Sequence, residues 1–257
     1  MNILFVGDVV GRPGRAVLRE HLANIISENE IDFTIVNGEN SAHGKGITPK
    51  IFLELISYGA DVITMGNHTY SKAGIYEIIE DDQLLVPMNM EMPTGAQGYH
   101  TYKVKDKEIL VANICTKAFM KNVLEDPFET TKEIVAAKAD IKFVDLHGEA
   151  TAEKVSYLHY FKNDLTAIIG THTHVQTADE DVFNGCAYIT DAGMCGAYES
   201  IIGRDIDEVH SQMIENKHTH YTVSKNEAVL CAVVINICDE TNRAKSIKRI
   251  QIRPKAE

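Results

Sequence analysis

Apolar runs alternate with amphipathic stretches through the first two thirds of the chain. Short β-branched runs that stop at a glycine or a polar residue are typical of buried strands, and apolar residues spaced three or four apart are typical of helices. The predicted strands cover residues 3–6, 33–36, 61–65, 141–146 and 165–169. The predicted helices cover residues 17–26, a segment opening at Thr48-Pro49, 73–79, 132–139 and 150–161.

The rest of the chain is predicted to be mostly β-structure. Residues 99–105 and 108–114 form the arms of a predicted hairpin, and strands follow at 188–190, 229–237 and 246–252, with a polar helix near 207–215. Alternating strands and helices imply parallel pairing, and the β-rich second half predicts a second sheet packed on the first. We therefore expect an α/β protein, an α-β-β-α sandwich of two mixed sheets flanked by helices, forming one domain over residues 1–257.

Composition and charge narrow the classes of function. The formal net charge of −12 disfavours a stable complex with nucleic acid or an anionic membrane. A small phosphate ester remains an expected partner, because bound cations can reverse the local field. The five cysteines form no C-x-x-C pair, which favours a reducing compartment. No apolar run is long enough to span a membrane, and residues 1–7 are predicted to form a strand, so we expect a cytoplasmic protein.

Candidate metal ligands follow five of the predicted strands. They are Asp8, Glu39 with Asn40, Asn67 with His68, His147, and His172 with His174. The carboxyl ends of parallel strands meet at one edge of a sheet, where sites form. In an extended backbone, residues two apart, such as His172 and His174, point to the same side. Carboxylates, amides and imidazoles suit iron, manganese or zinc, and their number suits two ions about 3.5–4 Å apart, the arrangement that phosphoester hydrolysis needs.

Together these motifs resemble the calcineurin-like metallophosphoesterases, and most closely their YmdB-like branch. The motifs that carry the resemblance are Gly7-Asp8, Asn37-Gly38-Glu39-Asn40, Gly66-Asn67-His68, His147-x-Glu149-Ala150-Thr151 and Gly170-x-His172-x-His174. Two features depart from the wider superfamily: Val10 stands where its D-x-H motif has histidine, and Glu39 stands where its bridging aspartate lies. The YmdB-like branch shares both changes. The missing imidazole predicts that the first ion is the more easily removed.

The resemblance implies a fold of the metallophosphoesterase type and a role for each motif residue. Asp8, Glu39, Asn40 and His174 would hold the first ion, and Glu39, Asn67, His147 and His172 the second, with Glu39 as the bridge. Iron is the favoured metal, with manganese or zinc as alternatives. The implied activity is hydrolysis of cyclic nucleotides, above all 2′,3′-cyclic nucleotides, by a metal-activated hydroxide. His68 would donate a proton to the leaving oxygen or steady the phosphoryl group.

Several assignments stay open from the sequence. The chain could instead hydrolyse another phosphate ester, or act as a metal-dependent nucleotide-binding regulator with little turnover, and it could form a homo-oligomer. His43, Lys45 and Arg12 could contact a substrate phosphate or be solvated, and Glu149 could support a ligand or be solvated. The remaining predictions concern single residues: Met194, Cys195 and Tyr198 resemble a family loop near the site, His210, His218 and His220 should lie on the surface, and Cys186 and Cys195 should be buried.

Overall fold

A computed structural model describes residues 1–255, and two mixed β-sheets form its centre. The strands of the first sheet are β1 (Asn2–Val6), β2 (Asp8–Val9), β3 (Phe33–Asn37), β4 (Val62–Thr64), β5 (Leu84–Leu85), β12 (Met194–Ala197), β13 (Ala228–Ile237) and β14 (Ala244–Ile252). Their order is β2-β12-β13-β1-β3-β4-β5, and β14 pairs with β13. Strands β1, β3 and β4 are parallel, as predicted, and β5, which was not predicted, extends this parallel set, whereas β13 runs antiparallel to β1.

The second sheet consists of six strands taken from the middle of the chain. They are β6 (Tyr99–Val104), β7 (Lys107–Cys115), β8 (Ile141–His147), β9 (Ala167–Thr171), β10 (Asp181–Phe183) and β11 (Cys186–Ile189). Their order is β10-β11-β9-β8-β7-β6. The central strands β7, β8, β9 and β11 are parallel, and β6 and β10 close the edges in antiparallel pairs. The predicted hairpin is therefore the edge of this sheet.

Within residues 1–255, five α-helices cover the outer faces or join the strands. They are α1 (Gly11–Glu28), α2 (Pro49–Tyr58), α3 (Pro127–Ala136), α4 (Thr151–Phe161) and α5 (Ile206–Met213). Helix α2 begins as predicted, because the Thr48 side chain accepts a hydrogen bond from the Ile51 N–H and proline follows it. Helices α1 and α2 pack on the first sheet, and α3 and α4 pack on the second.

Apolar side chains fill the space between the two sheets, and this layer joins them into one sandwich. Phe5 of β1 stacks on Phe143 of β8 with ring centroids 5.6 Å apart. Side chains from both sheets surround this pair in a continuous buried cluster. The predicted α-β-β-α sandwich is confirmed, and the single domain over residues 1–257 stays a prediction.

Some predicted elements were wrong in detail. The β-rich second half does not build a separate sheet, because β13 and β14 insert into the first one. The helix predicted at 73–79 is a short 3-10 turn at Ala73–Glu77. The helix predicted at 132–139 spans Pro127–Ala136, because Asp126 accepts hydrogen bonds from the N–H groups of Phe128 and Glu129 and so caps it earlier. No helix within residues 1–255 has the length and apolar character to cross a membrane.

Candidate metal centre

The predicted ligands meet at one edge of the sandwich, where the strands end. Asp8 opens β2, Glu39 and Asn40 follow β3, Asn67 and His68 follow β4, His147 ends β8, and His172 and His174 follow β9. The side chains gather in two overlapping groups, Glu39–His147–His172 and Asp8–Glu39–His174, and within each group the candidate ligand atoms lie within 4.8 Å of one another. Glu39 belongs to both groups, so it occupies the position of a bridge.

His147 lies at the centre of the first group and is fully buried. Its Nε2 lies 2.9 Å from Asn67 Oδ1, 3.0 Å from His172 Nδ1 and 3.3 Å from Glu39 Oε2. For a metal–nitrogen distance of about 2.1 Å, ligand atoms at right angles are about 3 Å apart. The spacing of these four atoms therefore matches the edges of a coordination shell.

The hydrogen bonds of His147 indicate which of its two ring nitrogens faces the other candidate ligands. Thr171 donates its only hydroxyl proton to Asp145 (2.7 Å), so its oxygen accepts a hydrogen bond from Nδ1 of His147 at 2.9 Å. His172 Nε2 lies 3.1 Å from the Glu149 carboxylate. His147 Nε2 and His172 Nδ1 face each other at 3.0 Å, so either a shared proton or a bound metal ion must separate their lone pairs. Such an arrangement is stable only with a positive charge between the two atoms.

The second group also contains a potential ligand atom that has no hydrogen-bond partner within residues 1–255. Asp8 is fully buried, and its Oδ1 has no hydrogen-bond partner among the described residues. Its other carboxylate oxygen accepts the backbone N–H of His172 at 3.1 Å. His174 donates from Nδ1 to the carbonyl of Ile202 at 2.9 Å, which leaves Nε2 free, 3.3 Å from Asn40 Oδ1. A buried carboxylate oxygen without a donor is costly unless a cation accompanies it.

The pKa values of these side chains reflect their burial and their mutual proximity. Burial raises the pKa of Asp8 to about 7, against attraction from His174 and His147. Burial acts to lower the pKa of His147, but the charge and hydrogen bond of Glu39 outweigh it and raise the pKa to about 9. Burial acts to raise the pKa of Glu39, but His147 holds it below its ordinary value. Burial and the nearby His147 lower the pKa of His172 to about 3.

The side chains therefore fit a pair of metal ions. Glu39, Asn67, His147 and His172 could hold one ion, and Asp8, Glu39, Asn40 and His174 the other. All the donors are oxygen or nitrogen atoms, a set that suits iron, manganese or zinc. Gly66 allows the Glu39 carboxylate and the His147 ring to lie close to the backbone at this position, because a Cβ there would collide with both.

The backbone that carries the two histidines differs from the expectation. Strand β9 ends at Thr171, and His172 and His174 adopt φ values of 100° and 67°. The prediction that an extended backbone points both imidazoles to the same side is therefore wrong. The left-handed backbone instead directs His172 to the first group and His174 to the second. Two non-glycine residues with positive φ so close together are strained, as is common at functional sites.

Four buried side chains that the sequence did not single out support the ligands. Asp145 accepts hydrogen bonds from Thr171, Thr64 (2.5 Å) and Asn37 (2.9 Å), and so anchors the hydroxyl that orients His147. The other supporting residues are Lys154 and Asp191, a buried ion pair beneath the loop after β9. Thr171 and Asp145 lie in otherwise apolar strands. A polar residue near the ligand-bearing end of such a strand is the sequence feature that could have identified them as supporting residues.

A cavity of about 310 Å³ opens over the two groups. His68 lines it next to Asn67, and the backbone N–H of His68 is held by Glu39 Oε2 at 3.1 Å. Burial lowers the pKa of the His68 imidazole, against attraction from Glu39. Lys45 also lines the cavity, together with Arg204 and Tyr221, which the sequence did not single out.

The weaker candidates have mixed positions. His43 and Arg12 do not line this cavity but a neighbouring groove. Glu149 contacts His172, as a supporting residue would. Met194 and Cys195 lie in β12 beside Asp8 and Val9, whereas Tyr198 is exposed. Two expectations agree with the structure: the side chains of His210, His218 and His220 are exposed, and Cys186 and Cys195 are buried.

Comparison with known proteins identifies relatives over almost the full chain. The 2′,3′-cyclic-nucleotide 2′-phosphodiesterase of Bacillus subtilis (strain 168) is 43% identical over 257 residues, which cover 98% of this chain and 97% of that protein. A crystal structure of a novel phosphatase from Mycoplasma pneumoniae superposes with a TM-score of 0.94 at 32% identity, covering 98% of this chain and 93% of that one. A hypothetical protein from Thermus thermophilus gives a TM-score of 0.92 at 31% identity, covering 98% and 99%.

The family profile of the YmdB-like proteins matches residues 4–250. This match includes every candidate ligand described above. The predicted resemblance is confirmed, and this chain belongs to the YmdB-like family.

Proposed function

We propose that this chain hydrolyses 2′,3′-cyclic nucleotides with a pair of metal ions held by the two ligand groups. The predicted class of enzyme, a phosphoric diester hydrolase, is confirmed by the relationship to the Bacillus phosphodiesterase. The substrate, the two ions, iron as the favoured metal, the role of His68 and a cytoplasmic location belong to the proposal.

One observation carries the proposal. Glu39 is shared by two groups of side chains: in one, two imidazole nitrogens face each other at 3.0 Å, and in the other, a buried carboxylate oxygen of Asp8 has no hydrogen-bond partner among the described residues. In a purely structural cluster of this size, lysine, arginine or amide groups would donate hydrogen bonds to the acceptor atoms. Ligand atoms that lack such hydrogen-bond donors and lie beside a cavity are expected where metal ions bind.

The chain's own residues provide binding and proton transfer. When bound, the ions supply a nucleophilic water and positive charge for the phosphoryl oxygens. Lys45 adds a further positive charge in the cavity. Hydrolysis forms a new bond from phosphorus to the water oxygen and breaks the bond to the ribose 2′ oxygen, leaving a 3′-phosphate. In this proposal His68, which lines the cavity, gives the departing 2′ oxygen its proton, because the negative substrate would raise the lowered pKa of its imidazole.

The first test measures metal content and product together. Protein purified without chelators, and anaerobically, is analysed for metals and then incubated with 2′,3′-cyclic AMP and manganese or iron(II). We expect about two ions per chain and 3′-AMP as the product. A chain that binds two ions but leaves 2′,3′-cyclic AMP intact would contradict the substrate assignment.

Parallel substrates separate this function from its alternatives. A panel of 3′,5′-cyclic AMP, a linear dinucleotide and a phosphomonoester tests for another phosphate ester as the preferred substrate. Tight binding of 2′,3′-cyclic AMP in equilibrium dialysis, with negligible turnover, would support a regulatory nucleotide-binding protein instead.

A further inference from the structure

A second, larger depression adjoins the candidate metal centre. It has a volume of about 920 Å³ and lies between the start of α1, residues 221–228 and the end of β14. Tyr221 lines both this depression and the smaller cavity over the metal ligands. We call this depression the basic groove. It is a continuation of the candidate active site on the far side of Tyr221.

The charge of the basic groove is opposite to that of the chain. Four cationic side chains line it, Arg12, Lys225, Arg253 and Lys255, against two carboxylates, Glu20 and Glu227. The whole chain has 25 basic and 37 acidic residues. Within residues 1–255, none of the four cations forms an ion pair. Unpaired cations concentrated in one groove of an acidic protein indicate an anionic ligand.

Much of the lining of the basic groove is apolar. Pro13 and Val17 of α1 contribute to it, as do Val223, Ala228 and Ile252. Apolar and cationic lining together suit a single strand of nucleic acid, whose bases avoid water while its phosphates attract cations. Tyr221 forms the junction with the metal centre, and the Lys45 ammonium and the Arg204 guanidinium lie 4.9 Å and 4.8 Å from its ring centroid, so positive charge continues from the basic groove to the metal ligands.

We propose that the basic groove binds the upstream nucleotides of a short single-stranded RNA whose 3′ end carries a 2′,3′-cyclic phosphate. The terminal cyclic phosphate would enter the cavity over the metal ligands, and the preceding phosphates would lie along Arg12, Lys225 and Arg253. Only RNA can carry this end, because the cyclic ester needs a 2′ oxygen. The proposal rests on the proposed function and extends its substrate from mononucleotides to oligonucleotide ends.

The continuity of the two depressions favours RNA over an acidic peptide. A peptide would need the cations but not the shared wall at Tyr221. A duplex or a long RNA is disfavoured, because the chain as a whole is acidic and would repel phosphates beyond the groove. A reaction that cleaves RNA and leaves cyclic phosphate ends would supply the proposed substrate.

The experiment compares two substrates in three proteins. The substrates are 2′,3′-cyclic AMP and a tri-adenylate that ends in a 2′,3′-cyclic phosphate. The proteins are the native chain, the charge reversal Lys225→Glu with Arg253→Glu, and the control Lys103→Glu with Lys121→Glu. All four substituted residues are exposed, and the control pair, which does not line the basic groove, changes the net charge equally.

We expect kcat/KM for the trinucleotide to exceed that for the mononucleotide about tenfold in the native and control proteins. The charge reversal should bring this ratio down to about one. The trinucleotide KM should also rise more steeply with salt than the mononucleotide KM. An equal ratio in all three proteins, or no preference in the native protein, would overturn the proposal.

Binding separates failure of this proposal from failure of the proposed function. If the native protein hydrolyses neither substrate, the proposed function fails. The basic groove is then judged by fluorescence anisotropy with a labelled tri-adenylate 3′-phosphate, for which the charge reversal should weaken binding at least fivefold. Unchanged affinity would overturn the proposal, as would equally effective displacement of the probe by a hexaglutamate peptide.

Discussion

The ammonium of Lys154 lies 3.2 Å from the carboxylate of Asp191, and both side chains are completely buried. Lys154 also donates to the carbonyl of Thr171 at 2.7 Å, and Asp191 accepts the backbone N–H of Thr173 at 2.9 Å and its hydroxyl at 2.8 Å. This pair therefore holds the backbone on both sides of His172. The buried ion pair therefore stabilises the strained backbone conformations of His172 and His174.

Replacing Lys154 with methionine should destabilise the protein strongly. The substitution keeps most of the side-chain volume but leaves the Asp191 carboxylate buried without its cation, which costs about 3–5 kcal/mol. Urea denaturation of the native protein and the variant measures the difference. The double variant Lys154→Met with Asp191→Asn should lose less than the sum of the single losses. A loss below about 1 kcal/mol for Lys154→Met would contradict this role.

Replacing Thr171 with valine should weaken metal binding. Valine has nearly the shape of threonine but cannot accept the Nδ1–H of His147 or donate to Asp145. Loss of such a supporting contact lowers metal affinity about 10–100-fold. Calorimetric titration with manganese measures the effect, and Thr171→Ser should restore most of the affinity. Equal affinities of the valine and serine variants would refute the assignment.

Replacing Gly66 with alanine should disrupt both ligand groups. The added Cβ would collide with the carboxylate of Glu39 and the ring of His147, the two side chains closest to this position. We expect loss of bound metal and of phosphodiesterase activity, with a melting temperature close to that of the metal-free native protein. Metal analysis and thermal denaturation test this expectation. An alanine variant that retains two ions would show that the ligands do not approach Gly66 as described.

Replacing His68 should separate catalysis from metal binding. His68→Ala should keep both ions and lower kcat about 10²–10⁴-fold, the usual contribution of a general acid. Glu39→Gln is the matched comparison, because Glu39 belongs to both ligand groups and its loss should remove metal and activity together. Metal analysis and initial rates on 2′,3′-cyclic AMP distinguish the two variants. Loss of metal from His68→Ala would mean that His68 is a ligand.

The stability of the protein in acid should depend on Asp32. This carboxylate accepts the Asn2 N–H at 2.9 Å and the Lys105 ammonium at 2.6 Å. Burial acts to raise its pKa, but these hydrogen bonds outweigh it and hold the pKa below 3.8. Because the pKa of Asp32 is lower in the folded state, its ionised carboxylate stabilises the protein at pH values above 3.8. This stabilisation is lost as the pH falls through the folded-state pKa.

Asp32→Asn should therefore lower the free energy of unfolding by about 1 kcal/mol at pH 7, a typical value for a partly exposed pair. The difference from the native protein should shrink in strongly acidic solution. Urea denaturation over a pH series measures it. A difference that does not change with pH would mean that charge is not its cause.

The sequence was most informative where chemistry lies next to a strand end. Asp8, Glu39 and His147 could be predicted because a short apolar run points each of them to one edge of a sheet. The supporting residue Lys154 could not, because a lysine in an amphipathic helix is normally solvated and only the tertiary fold pairs it with Asp191. Left-handed backbone at His172 likewise has no signal in residue type.

The pairing of strands that are distant in the chain also could not be predicted from the sequence. Periodicity indicates that residues 229–237 form a strand, but not which strands lie beside it. The insertion of β13 between β1 and β12 pairs Asn2 with Asn236, near opposite ends of the chain, and no local pattern encodes that choice. The short strand β12 was missed because its four residues contain too little alternation to recognise.

This insertion of β13 has a consequence for biosynthesis. Asn2 pairs with Asn236, and the strand of Asp8 pairs with β12, which itself pairs with β13. The β-sheet surroundings of Asp8 are therefore complete only after β13 has been synthesised and has left the ribosome. Assembly of the two ligand groups is thus a late event in folding.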